Sequence, residues 1–238
     1  MKRLDLALVE AGHAYSRHRA QQAIAAGRVR VNGVLALKPA QAVSPGDAIA
    51  VEDEPWVSRA AHKLLGALDD SALAVPARCL DAGASTGGFT QVLLSRGAER
   101  VYAVDVGHGQ LAPPVAGDPR VVAREGVNAK NLTLADLDGQ PVGLTVADLS
   151  FISLGLVLPA LLPLTTDDAL VLVKPQFEVG RERLGSSGVV RDEALRIAAV
   201  DGVAAAAVAL GWREAWRGVS HLPGAHGNVE YFLRLRPA

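Results

Sequence analysis

The feature that most constrains the fold is a glycine-rich loop set between an apolar run and a helical one. Ala77-Arg78-Cys79-Leu80-Asp81 reads as a strand. Ala82-Gly83-Ala84-Ser85-Thr86-Gly87-Gly88 follows at once, and residues 89–96 have helical character before Gly97 stops them. Glycine at such a junction lets backbone approach a ligand, and a helix start presents unpaired N–H groups. A second strand, Arg100-Val101-Tyr102-Ala103-Val104-Asp105, ends in an acid 24 residues after Asp81. Further strands read at residues 121–123, 144–147, 169–173 and 229–235, with helices at 153–162 and 191–209. Strands alternating with helices predict an α/β unit with a parallel sheet covered on both faces.

The loop spacing narrows the ligand. Asp-x-Gly-x-x-x-Gly-Gly departs from the Gly-x-Gly-x-x-Gly of nicotinamide dinucleotide sites, and it lacks the Gly-Lys-Ser/Thr of phosphate loops. That argues against a NAD-dependent oxidoreductase. An acid ending the second strand binds ribose hydroxyls in dinucleotide folds. Loop and acid together look like an S-adenosylmethionine pocket. Gly83, Ser85, Thr86, Gly87 and Gly88 would shape the loop, and Asp105 would take the ribose hydroxyls. Asn128, after the third strand, falls where such folds approach the adenine. A turn asparagine is the other reading of that residue.

Charge separates the first fifty residues from the rest. The 238-residue chain carries a net charge of −1, yet residues 1–46 hold seven basic and two acidic residues, a balance of +5. The remainder carries −6. Such asymmetry points to a nucleic-acid partner. Leu4, Leu8 and Val9 sit at helical spacing before Gly12. Ser16 reads as the N-cap of a second helix over residues 17–26, closed by Gly27. Val29-Arg30-Val31, the Asn32-Gly33 turn and Val34-Leu35-Ala36-Leu37 form a hairpin, and Pro45-Gly46-Asp47 turns into a last strand at 48–51. Glu52-Asp53-Glu54-Pro55-Trp56 then shifts composition abruptly, so the boundary is placed at residues 52–57. Trp56 reads as an interdomain packing residue, with a hinge as the alternative. The expected organisation is a small α+β domain at 1–51, a linker at 52–57 and an α/β domain at 58–238.

This first unit resembles the S4 RNA-binding domain, notably in Ser16-Arg17-His18-Arg19-Ala20 and Gly27-Arg28-Val29-Arg30-Val31-Asn32-Gly33. The resemblance implies binding of structured RNA through basic residues on its phosphates.

Four polar residues in apolar contexts remain: Lys63, Asp148, Lys174 and Glu230. Asp148 and Lys174 end strands, and ligands in open α/β sheets bind beyond the carboxyl ends of strands. Singly, each is as well read as a strand-end ion pair. As a set they occur in Trp56-Val57-Ser58-Arg59-Ala60-Ala61-His62-Lys63-Leu64, Ala147-Asp148-Leu149-Ser150-Phe151-Ile152-Ser153, Val173-Lys174-Pro175-Gln176-Phe177-Glu178 and Gly227-Asn228-Val229-Glu230-Tyr231-Phe232. With the glycine loop, these motifs resemble the TlyA family of ribosomal RNA 2′-O-methyltransferases, sometimes called hemolysins, across essentially the whole chain. That family's catalytic domain is similar to the FtsJ methyltransferases. The resemblance implies a seven-stranded Rossmann-like sheet with an antiparallel last strand and a catalytic tetrad of Lys63, Asp148, Lys174 and Glu230. The implied substrate is the 2′-hydroxyl of cytidine in ribosomal RNA. Lys174 would take the hydroxyl proton or stabilise its loss, its pKa lowered by desolvation and a nearby Lys63. The implied cofactor contacts are Asp81, Gly83, Ala84, Ser85, Thr86, Gly87, Gly88, Phe89, Asp105, Val106, Asn128, Asp148 and Leu149. The implied RNA contacts are Arg3, Arg17, Arg19, Arg28, Lys38 and Arg59.

The remaining expectations are exclusions and a choice of RNA. The single Cys79 excludes a disulfide framework or a multi-cysteine metal site, and six histidines show no metal-binding spacing. The most apolar stretch, residues 151–164, is too short for a bilayer and holds Pro159 and Pro163. No secretory signal is evident, so a cytoplasmic, metal-free monomer is expected, and pore formation is not. A non-catalytic ribosome-assembly factor is the competing reading. In the resembled family, short termini accompany action on the large subunit. Helical spacing begins here at Leu4 and the chain ends directly after its last strand. The expected RNA is therefore 23S, with both 16S and 23S as the alternative.

Overall fold

In the computed structural model the chain divides into two units, Met1–Pro55 and Trp56–Ala238. It describes every residue except Asp53, residues 181–183, residues 185–187, Ala225 and His226. Asp53 of the expected linker and His226 of the histidine set thus lie outside the described residues.

The first unit opens with β1 (Lys2–Arg3), which runs straight into α1 (Leu4–Glu10). Helix α2 (Arg17–Ala25) starts at Ser16, whose hydroxyl accepts the Arg19 N–H at 3.2 Å. Strands β2 (Val29–Val31) and β3 (Val34–Leu35) pair across Asn32 and Gly33. Both turn residues have positive φ, 51° and 80°, as a tight two-residue hairpin requires. Strand β4 (Ala42–Val43) pairs antiparallel with β1, and β5 (Ile49–Val51) with β2. The β1–β4 pair is too short to show periodicity in the sequence. Leu4, Leu8, Ala20, Ile24, Val29 and Val31 close a small core between helices and strands.

The second unit begins with α3 (Ala60–Asp70), and Trp56 packs on this unit's core. Strand β6 (Arg78–Ala82) leads into α4 (Gly88–Ser95), then β7 (Arg100–Asp105), α5 (Pro113–Ala116), β8 (Val121–Glu125) and β9 (Val142–Ala147). After α6 (Leu158–Leu161) come β10 (Thr165–Val173), α7 (Pro175–Glu178), α8 (Glu193–Ala209), β11 (Trp212–Val219) and β12 (Tyr231–Pro237). Among the described residues, seven strands form one sheet in the order β11-β12-β10-β9-β6-β7-β8. All neighbours from β10 to β8 run parallel, and β12 runs antiparallel to both β10 and β11. Two apolar clusters cover the faces. Leu80, Tyr102 and Val171 lie in one, Cys79, Val101 and Leu170 in the other. Strands buried on both sides explain their unbroken apolar runs. Each fully buried leucine there contributes about 2 kcal/mol of transfer free energy.

Two expectations need correction. The helix expected over residues 153–162 is broken into a 3-10 turn at Leu154–Leu156, the single turn α6, and a second 3-10 turn at Leu162–Leu164. Pro159 and Pro163 lack the N–H a continuous helix needs, so each stands near the start of a new segment. Strand β11 was not expected. It is an edge strand with a register shift between Glu214 and Trp216, which erases two-residue alternation.

Candidate active site

The strand order reverses direction between β6 and β9: from β6 the chain moves outward to β7, and later returns on the other side to β9. The crevice beyond the carboxyl ends at such a switch point is where open α/β sheets bind ligands. Here the two strand-end loops touch. Gly83 has φ +91°, and a Cβ on it would sit 2.7 Å from the Asp148 carbonyl oxygen. Only glycine meets both demands. A cavity of about 510 Å³ opens at this junction, a volume within the range of small-molecule sites.

Of the expected cofactor contacts, Gly83, Ser85, Asp105, Val106, Asn128, Asp148 and Leu149 line the cavity. The others do not. Phe89 turns into the core and stacks on Phe232 with ring centres 6.1 Å apart. Gly87 is the N-cap of α4 at φ +91° and faces Val115, while Gly88 faces Ser58. Ala84 is buried, and Thr86 holds the next loop through its carbonyl, which accepts the Ala112 N–H at 3.1 Å. These residues shape the loop from behind; their alternation into and out of the wall follows from its turns. Gln110, Ser150, Phe151 and Ile152 line the cavity and were not expected.

Three carboxylates surround the loop. Asp105 accepts the Ser85 N–H on one oxygen and the Gly107 N–H on the other, both at 2.8 Å. Each carboxylate oxygen keeps a second lone pair, enough for a ribose diol. Asp81 is fully buried. Its Oδ2 accepts the Thr90 hydroxyl at 2.6 Å, and its Oδ1 has no hydrogen-bond partner among the described residues. Burial, aided by the nearby negative charges of Asp148 and Asp105, pushes its pKa up to about 7 against the Thr90 hydrogen bonds. A buried acid with an unanswered oxygen and two acidic neighbours favours a cationic ligand.

The four candidate catalytic residues form two ion pairs. Lys63, on the buried face of α3, lies 2.6 Å from Glu230 Oε2. Gly224 makes this possible, because a Cβ there would collide with Glu230 Oε1. Lys174 Nζ lies 2.6 Å from Asp148 Oδ1 and donates to Ser150 Oγ at 2.8 Å. Register joins the pairs. Val173 faces Tyr231 across the antiparallel β10–β12 ladder, which puts Lys174 and Glu230 at the next rung. Glu178 ties the same loops together: it accepts the Ser153 hydroxyl at 2.6 Å and the Leu154 N–H at 2.9 Å. Burial pushes its pKa up. Beside Ser150, Phe151 is held at φ +65° and is 91% exposed, its ring 5.2 Å from Phe177. Neither the strain nor the exposure leaves a trace in the sequence.

Residues 56–236 match the FtsJ-like methyltransferase family, and residues 2–49 match the S4 domain. A Mycobacterium tuberculosis protein named 16S/23S rRNA (cytidine-2′-O)-methyltransferase TlyA is 55% identical over 98% of this chain and 89% of its own length. The chain belongs to the TlyA family of FtsJ-like methyltransferases. Another member, named Hemolysin A, from Brachyspira hyodysenteriae, is 38% identical over 98% of this chain and 99% of its own. A solved structure of a Streptococcus thermophilus protein described as a hemolysin is similar with a TM-score of 0.79 at 36% identity, covering all of this chain and 88% of that one. No described helix is long and apolar enough to cross a membrane.

The residues expected to meet RNA divide in this TlyA-family chain. Arg3, Arg17, Lys38 and Arg59 are exposed, and Arg19 is half-buried. Arg28 departs from expectation: its side chain is only 17% exposed and lies 3.8 Å from Glu54, so the pair holds it against the fold. Asp5, fully buried, accepts from Arg3, Arg17 and Gln21. The hydrogen bond from Arg3 leads the causes that hold its pKa well below the usual carboxylate range.

Proposed function

We propose that this protein transfers a methyl group from S-adenosylmethionine to the 2′-hydroxyl of a cytidine in ribosomal RNA. The observation that carries the reading is the meeting of two lysine–carboxylate pairs beside an acid-lined cavity in an FtsJ-like fold. Its M. tuberculosis relative is named for that chemistry. In this reading residues 1–51 bind RNA, 52–57 link, and 58–238 hold the reaction. The basic first unit brings the protein to ribosomal RNA in the cytoplasm.

When bound, S-adenosylmethionine supplies a methyl on a cationic sulfur. Asp105 would hold its ribose, Gly83 would let its backbone-side approach occur, and Asp81 and Asp148 would answer its positive charge. The chain's own task is positioning and proton handling. Lys174, fixed by Asp148 and Ser150, meets the ribose hydroxyl and takes its proton or stabilises its loss. Glu230, opposite Lys174 where the β10–β12 ladder continues, and its partner Lys63 set the field around it. The exposed Phe151 ring offers a stacking face for a base splayed from the RNA.

The test is transfer of tritiated methyl from S-adenosylmethionine to purified 23S and 16S ribosomal RNA and to intact subunits, with nuclease mapping of the labelled nucleoside. Label in 2′-O-methylcytidine of 23S RNA is expected. Label in 16S RNA alone would reverse the choice of subunit. No label on any of them would leave the RNA-binding assembly factor as the reading.

A further inference from the structure

The geometry points to Asp5 as a positioning residue for RNA, one that holds Arg3 and Arg17 together as a two-pronged phosphate clamp. The inference rests on the proposed RNA-binding role of the first unit. Asp5 lies in the first turn of α1, with Arg3 directly before that helix and Arg17 at the first position of α2. Its side chain is fully buried, whereas those of Arg3 and Arg17 are 43% and 53% exposed. Arg3 donates side-on, Nε to Oδ1 and Nη2 to Oδ2, each at 3.0 Å. Arg17 donates through Nε alone, at 2.9 Å to Oδ2, and Gln21 adds Nε2 to the same oxygen at 2.9 Å.

The donor count gives this arrangement its use. A guanidinium has five N–H groups. Arg3 spends two on Asp5 and Arg17 spends one. The rest stay on partly exposed side chains, and two guanidiniums on one carboxylate leave the trio a net +1. Asp5 is buried on the same helix as Leu4 and Leu8. Burying a carboxylate is costly unless it is paired and hydrogen-bonded. Here the cost is met by donors whose outer faces point away from it. Fixing flexible arginines before RNA arrives removes ordering entropy from the binding step, which is how preorganisation raises affinity. Two arginines so placed suit adjacent phosphates better than free ones would, although Asp5 lowers the local charge.

The experiment compares the full-length protein with Asp5→Asn, with Arg3→Ala/Arg17→Ala, and with the triple variant. Binding to unmodified 23S RNA transcript is read from 50 to 200 mM salt, and methylation as KM and kcat. Asp5→Asn is expected to raise the RNA Kd and KM about tenfold while kcat at saturating RNA stays within about twofold. The double arginine variant should reduce the salt slope by about two. Adding Asp5→Asn to it should cost nothing further. Native RNA affinity and salt slope for Asp5→Asn would overturn the inference, as would a further loss in the triple variant. If Asp5→Asn unfolds the first unit, Gln21→Ala decides, since it removes a donor to Asp5 Oδ2 and leaves both arginines in place. Several-fold weaker binding supports the clamp, and unchanged binding removes it. Failure of the unchanged protein to bind the transcript would instead overturn the RNA reading itself.

Discussion

At the scale of single residues, burial and pairing decide which side chains act. Lys174 stands between Asp148 and Ser150 and is the residue proposed to handle the hydroxyl proton. Lys174→Ala is expected to lower methyl transfer by at least about 10³-fold, measured in single turnover, while S-adenosylmethionine still binds. Asp81 offers a pH test. Its folded pKa of about 7 lies above the unfolded carboxylate value. The stability it confers is therefore full in acid and is lost as pH rises through 7, when an unpaired charge must be buried. A cationic ligand reverses that preference, because it favours the ionised form. Calorimetry should show S-adenosylmethionine affinity rising about tenfold from pH 6 to pH 8, and Asp81→Asn should flatten the rise.

Among the elements, the proposed reaction depends most on the loops after β9 and β10, since one carries Asp148 and the other Lys174. Glu178 of α7 fastens them by accepting from Ser153 and Leu154. Glu178→Ala leaves the Leu154 N–H without that acceptor, a loss of about 1–3 kcal/mol. Thermal melting of the second unit should fall accordingly. Methylation should drop with it, through kcat more than through the KM for S-adenosylmethionine. The central strands were legible in the sequence because both of their faces are buried, and β7 matches its expected bounds of 100–105. Strand β11 and the broken segment at 154–164 were not. An edge strand exposes one side, and its register shift disrupts alternation; prolines restart a helix whose apolar spacing reads as continuous.

On the scale of the whole molecule, charge and chemistry occupy different units. Removing residues 1–55 should leave S-adenosylmethionine affinity unchanged and raise the KM for 23S RNA more than about tenfold, because the basic residues proposed to meet RNA phosphates in the first unit are lost. An unchanged KM in a filter-binding and methylation assay would place RNA recognition in the second unit alone. The sequence by itself determined the α/β order, the hairpin at Asn32-Gly33, the glycine loop with Asp105, and the four polar residues Lys63, Asp148, Lys174 and Glu230 in their apolar contexts. Those signals are local: periodicity, turn chemistry and short motifs survive in one dimension. Tertiary structure alone decided that Lys63 pairs with Glu230 and Lys174 with Asp148, that Phe89 faces the core while Phe151 faces solvent, and that Asp5 gathers two arginines. Each of those facts depends on which groups meet across elements and how much water they lose in doing so, and neither quantity is written in residue order.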